Sequence, residues 1–150
     1  MLHHKGYIKD EACFKTLFEN TVMVLGHCFE NAYLFNKLTK EELGIFQFYG
    51  DPTCGLVGKN NDWCLVGGEV LVIKGLLNHT LWVVDDLKDI YGLKMIDEYK
   101  TLVLTDPWTE GSAIWLLTID FSSLSKPLGV SKVRDFKDYF NQPFSEVVIW

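Results

Sequence analysis

Residues 54–74, CGLVGKNNDWCLVGGEVLVIK, hold three short apolar runs broken by Lys59-Asn60-Asn61-Asp62 and by Gly67-Gly68. Branched and aliphatic runs of this length, punctuated by Asn and Gly, have the period of antiparallel strands joined by tight turns. With Asn60-Asn61 at the centre of the first turn, Cys64 faces Val57 and Cys54 faces Gly67. The two sulfurs then stand out of register, and a bridge between them would need a longer loop. The stretch reads as a plain hairpin with a Gly- and Asn-rich tip.

Sharper readings of the same residues fail on spacing. A phosphate loop needs a glycine where Thr53 stands and a hydroxyl where Asn60 stands. The tetrad Gly55-Leu56-Val57-Gly58 matches the nucleic-acid clamp of a KH domain in letters, but that clamp joins helices and both flanks here read as strands. Structural zinc asks for closely spaced Cys or His pairs, whereas Cys13, Cys28, Cys54 and Cys64 are 15, 26 and 10 apart with no CxxC. No metal site and no cofactor are expected.

The strand period extends in both directions. IFQFY lies upstream; TLWVV, LKMI, TLVLT and AIWLLTIDF lie downstream, separated by GDPT, NH, YG, EY and DPWTEGS. With no amphipathic helix between these runs, a meander is expected and a parallel sheet is not. The segments NDWCLVGGEVLVIK and EYKTLVLTD…AIWLLTIDF resemble blades of WD-repeat propellers in their strand–turn–strand form. That resemblance covers under half of the chain and lacks the Gly-His…Trp-Asp signature, and closing a ring takes at least four blades. The architecture expected is therefore α+β: one strongly bent antiparallel sheet or partial barrel, covered by an N-terminal and a C-terminal helix, in one domain spanning 1–150.

The helices are expected in three places. Asp10 can cap EACFKTLFE, residues 11–19, where Phe14, Leu17 and Phe18 fall at i, i+3, i+4. Thr39 with Glu42 makes a capping box over 39–43. Ser131 opens KVRDFKDYF, with Val133, Phe136 and Phe140 on one face, giving a helix over 131–140. TVMVL and the C-terminal SEVVIW read as strands, and HCFENAYLF fits either period.

Bulk composition bounds function. At 150 residues, with 48% hydrophobic and 14% aromatic content, the chain can bury a core without staples. It has no apolar run of membrane-spanning length, and its N-terminus carries Lys5, Lys9, Asp10 and Glu11 where a secretory signal needs a clean apolar stretch. A cytoplasmic protein with four reduced thiols is the expectation, with no membrane partner. Net charge is −6, and of 14 basic residues Arg134 is the one arginine, which disfavours nucleic-acid binding.

Catalytic patterns are sparse. His27 and His79 stand near no nucleophile elbow, and both read as structural. The acids are more suggestive. Residues 85–110 hold Asp85, Asp86, Asp89, Asp97, Glu98, Asp106 and Glu110 against Lys88, Lys94 and Lys100, a local charge of −4. Two functions follow. One is a small non-catalytic binding protein that engages a basic protein partner through Asp85, Asp86, Asp89, Asp106 and Glu110, with Trp108 as aromatic anchor. An immunity protein that covers a toxin's active site is a concrete version of it, by class-level analogy. The other is a small carboxylate-based or metal-dependent hydrolase.

Overall fold

The computed structural model describes residues 6–105, 112–120 and 128–135. Among the described residues a 3-10 turn, Ile8–Asp10, is followed by twelve strands in three consecutive antiparallel meanders. The first sheet is β1 (Phe14–Glu19), β2 (Met23–Cys28), β3 (Asn31–Asn36) and β4 (Glu42–Gln47). The second is β5 (Cys54–Val57), β6 (Trp63–Gly67), β7 (Val70–Gly75) and β8 (Leu81–Lys88). The third is β9 (Ile90–Met95), β10 (Lys100–Thr105), β11 (Ala113–Ile119) and β12 (Leu128–Asp135). Within each sheet the strands lie side by side in chain order, because every connection is a short turn.

The middle sheet is packed on both faces. Along β6, Cys64 and Val66 point toward Met23, Leu25, Leu34 and Ile45 of the first sheet. Trp63 and Leu65 point the other way, toward Val103, Leu117 and Ile119 of the third. Strict alternation between two apolar cores gives a run with no polar residue, which is why WCLVG shows no in–out pattern of its own. The first strands of the sheets lie side by side, β1 against β5 and β5 against β9. Gly55 permits this approach: a Cβ there would sit 2.7 Å from Leu25 Cδ2 and 3.2 Å from Leu17 Cβ.

This architecture corrects the α+β expectation. The described residues are nearly all antiparallel sheet, and three separate four-stranded sheets replace one bent sheet among them. Each is a four-stranded antiparallel meander. The helix expected over 11–19 is β1, paired with β2 from Phe14↔Cys28 to Glu19↔Val24. Its i, i+3, i+4 pattern arises because a bulge between Thr16 and Phe18 shifts the register, placing residues of unequal spacing against the core. The turn expected at 39–43 gives way to β4, which begins at Glu42. Of the helix expected over 131–140, residues up to Asp135 belong to β12, paired with β11; the remainder and SEVVIW lie outside the described residues. HCFENAYLF is two strands joined by a turn at Phe29-Glu30.

The hairpin of residues 54–67 has the expected register, with Cys54↔Gly67 and Val57↔Cys64. Its loop is longer than two residues: Gly58 still pairs with Trp63, and Asn61 takes the left-handed conformation (φ 56°) within Lys59–Asp62. Cys54 and Cys64 are free. The expectation of four reduced thiols is corrected at the other pair, since Cys13 and Cys28 form a disulfide with Cα atoms 5.0 Å apart. Pairing of β1 with β2 brings residue 13 beside residue 28, which a helix at 11–19 would not do. The cytoplasmic assignment loses the support it drew from reduced thiols. Among the described residues no helix is long and apolar enough to cross a membrane.

Candidate interaction site

Three connections meet at one end of the first two sheets: the loop from β4 to β5, the turn from β6 to β7, and the single residue between β8 and β9. Leaving β4, Phe48 turns inward, is 3% exposed, and packs edge-to-face on Phe46 with centroids 4.9 Å apart. Its amide donates to the Glu30 carbonyl at 2.8 Å. With Phe48 committed to the core, the next side chain must point out. Tyr49 is 96% exposed, the most exposed large hydrophobic side chain among the described residues.

Glu69 organises this end. Its Oε1 accepts the Tyr49 amide at 2.8 Å, and its main-chain carbonyl accepts the Asp89 amide at 3.1 Å. The Ile90 amide donates to the Gly68 carbonyl at 2.7 Å, and Thr53 Oγ1 donates to the Ile90 carbonyl at 2.5 Å. Asp89 makes the step from β8 to β9 in one residue and takes a left-handed conformation (φ 53°) to do so. Aspartate tolerates that region better than most residues, and its exposed side chain leaves the turn.

A cleft of about 630 Å³ opens here, floored by Phe46, Phe48, Val70 and Val83 and rimmed by Tyr49, Glu69, Lys88 and Asp89. A second of about 390 Å³ shares Tyr49, Glu69 and Asp89 with it and adds Asp51 and Tyr91. Three carboxylates and two exposed or half-exposed tyrosines thus surround an apolar floor, with Lys88 the one cation among the lining residues.

Of the residues singled out in the sequence, Asp89 stands in this site. Asp85 and Asp86 do not line it. Val84 pairs with Leu71 and Lys88 with Val70, so Asp85, Asp86 and Leu87 occupy a bulge in β8, the outer edge strand of the second sheet. Leu87 turns into the core at 1% exposure while both aspartates face solvent. A charged bulge on an edge strand blocks pairing with another chain, which accounts for these two acids without a ligand. Asp106, Trp108 and Glu110 lie outside the described residues; β10 ends at Thr105, opposite Ile90. Trp82 packs half-buried against the second core.

The remaining candidates for chemistry are structural. His27 is 5% exposed, and its Nδ1 donates to the Phe29 carbonyl at 2.7 Å. His79 occupies a left-handed turn position (φ 56°), and its carbonyl accepts from Lys74 Nζ. Burial raises the Cys54 thiol to about 11 and the Cys64 thiol to about 12, so neither is a ready nucleophile at neutral pH. Among the described residues no group of three or more His, Cys, Asp or Glu is placed to hold a metal. At the opposite end a cleft of about 480 Å³ carries Asp62, Glu98, Tyr99 and Asp120, but its tryptophan, Trp63, is 3% exposed and serves the core.

Sequence reasoning missed Tyr49, Asp51, Glu69 and Tyr91. One signal was present: Tyr49 and Glu69 each sit beside turn-forming glycines, at Gly50 and Gly68, where loops leave a sheet. No family model matches the chain, and no curated protein matches it in sequence.

Proposed function

We infer that the protein is a binding module that engages a basic protein partner through the tyrosine- and carboxylate-bearing end formed by residues 48–53, 68–69 and 89–91. The observation that carries this reading is Tyr49, held at a fixed backbone position by Glu69 and left almost wholly in solvent. Burying a rigid tyrosine costs little side-chain entropy and gains a large contact area, which is why such residues anchor interfaces. Asp51, Glu69 and Asp89 around it favour a positively charged approach surface and speed encounter. An inhibitory role, in which this end covers the working surface of a basic enzyme or toxin, is one use of such a module.

The test replaces Tyr49 with a photo-crosslinking phenylalanine analogue in the native host, with Leu38, 73% exposed in the turn between β3 and β4, as the control position. A discrete adduct of a basic protein from position 49 and none from position 38 supports the reading. Equal, diffuse labelling from both positions overturns it.

A further inference from the structure

We propose that the cleft between the first and second sheets receives one arginine side chain of the partner, its stem along Phe46, Val70 and Val83 and its guanidinium beside Tyr49, Glu69 and Asp89. This rests on the reading of the Tyr49 end as the binding face.

The cleft combines an apolar floor with an acidic rim. A side chain that satisfies both has a long aliphatic stem and a cationic head, which restricts the occupant to lysine or arginine. The exposed tyrosine favours arginine. A planar guanidinium is weakly hydrated, stacks on an aromatic face and forks onto carboxylates, whereas an ammonium is a compact, strongly hydrated point charge. Two carboxylates stand at the rim, and both belong to residues whose backbones are already tied together: the Asp89 amide donates to the Glu69 carbonyl, and the Glu69 side chain holds the Tyr49 amide. The backbone at Tyr49 and Asp89 and the Glu69 side chain are therefore held before the ligand arrives, which lowers the ordering cost of binding. Lys88 shares the rim and repels a second cation, so the cleft selects a single arginine over a polybasic run.

The probes are three peptides, N-acetyl-Gly-X-Gly-amide with X as arginine, lysine or the neutral isostere citrulline, titrated into the isotopically labelled protein. The arginine peptide is expected to give saturable amide shifts at Tyr49, Glu69 and Asp89, the lysine peptide to bind about two- to fivefold more weakly, and citrulline to give no saturable shift. Tyr49→Ala should weaken arginine by about fivefold while leaving lysine nearly unchanged. Glu69→Gln keeps an acceptor for the Tyr49 amide and should weaken both. Citrulline binding as tightly as arginine, or unchanged arginine binding by Tyr49→Ala, overturns the proposal. A cross-linked partner at position 49 combined with no arginine-peptide binding retires the arginine and leaves the binding face standing. Diffuse labelling in that experiment retires the face itself.

Discussion

The amide of Tyr49 donates to the carboxylate of Glu69 across twenty residues of sequence, joining the exit of the first sheet to the central turn of the second. A carboxylate that accepts a main-chain amide fixes a loop more firmly than a neutral acceptor does. Glu69→Ala should therefore release the segment around Tyr49, raising hydrogen exchange at that amide at least as much as at its neighbours. The bond is solvent-accessible, so the stability cost is on the order of 0.5–1 kcal/mol. Glu69→Gln should retain most of the protection. Equal exchange in all three proteins would remove Glu69 from its organising role.

The cysteines divide into a bonded pair and two free thiols, Cys64 buried and Cys54 half-buried. Titration of the denatured, unreduced protein should count two thiols, and four after reductant. Opening the Cys13–Cys28 bond, which closes a loop with a separation of 15 residues, should cost about 3 kcal/mol. A count of four without reductant would contradict the pairing.

The free thiols also set an alkaline dependence. Cys64 is held protonated by burial, with its folded value raised to about 12 against a reference of 9.0. Between those values the unfolded chain loses its proton and the folded chain keeps it, so this contribution to stability is intact below about pH 9 and declines as pH rises toward 12. Cys64→Ala should show a shallower decline over that window in denaturant titrations. Identical slopes for the two proteins would exclude the effect.

The antiparallel strands were legible in the alternation of residues 45–119 and in the turn residues between them; their division into three sheets was not. The register of Cys54–Val57 against Cys64–Gly67 followed from the position of Asn60-Asn61 alone. The first and last described strands, β1 and β12, were not legible. Phe14, Leu17 and Phe18 satisfy helical spacing as well as they satisfy a bulged strand, and the pairing partner that decides between them, β2, is not visible in the window. The site was less legible than the fold. Tyr49, Glu69 and Asp89 come from three different connections, and the charge count that pointed to residues 85–110 included Asp85 and Asp86, which serve a strand edge. Asp89 lines the cleft, and Asp106, Trp108 and Glu110 lie outside the described residues.

Gly67 tests the packing beneath the site. A Cβ at this position would lie 2.5 Å from Ile90 Cγ2 and 2.9 Å from Cys54 Sγ. Gly67→Ala should thus push β9 away from the second sheet, cost about 1–3 kcal/mol, and disturb Asp89 next to Ile90. A melting temperature equal to that of the unaltered protein would show that β5, β6 and β9 are not in contact there.

Association kinetics with the partner cross-linked at position 49 test the central claim most directly, because the claim separates Tyr49 and Asp89 from Asp85 and Asp86. The account predicts that Tyr49→Ala with Asp89→Asn slows association at low salt, flattens its salt dependence and speeds dissociation, while Asp85→Asn with Asp86→Asn leaves dissociation unchanged. Unaltered kinetics in the first variant, or a larger loss in the second, would contradict it and return the binding face to the edge of the second sheet.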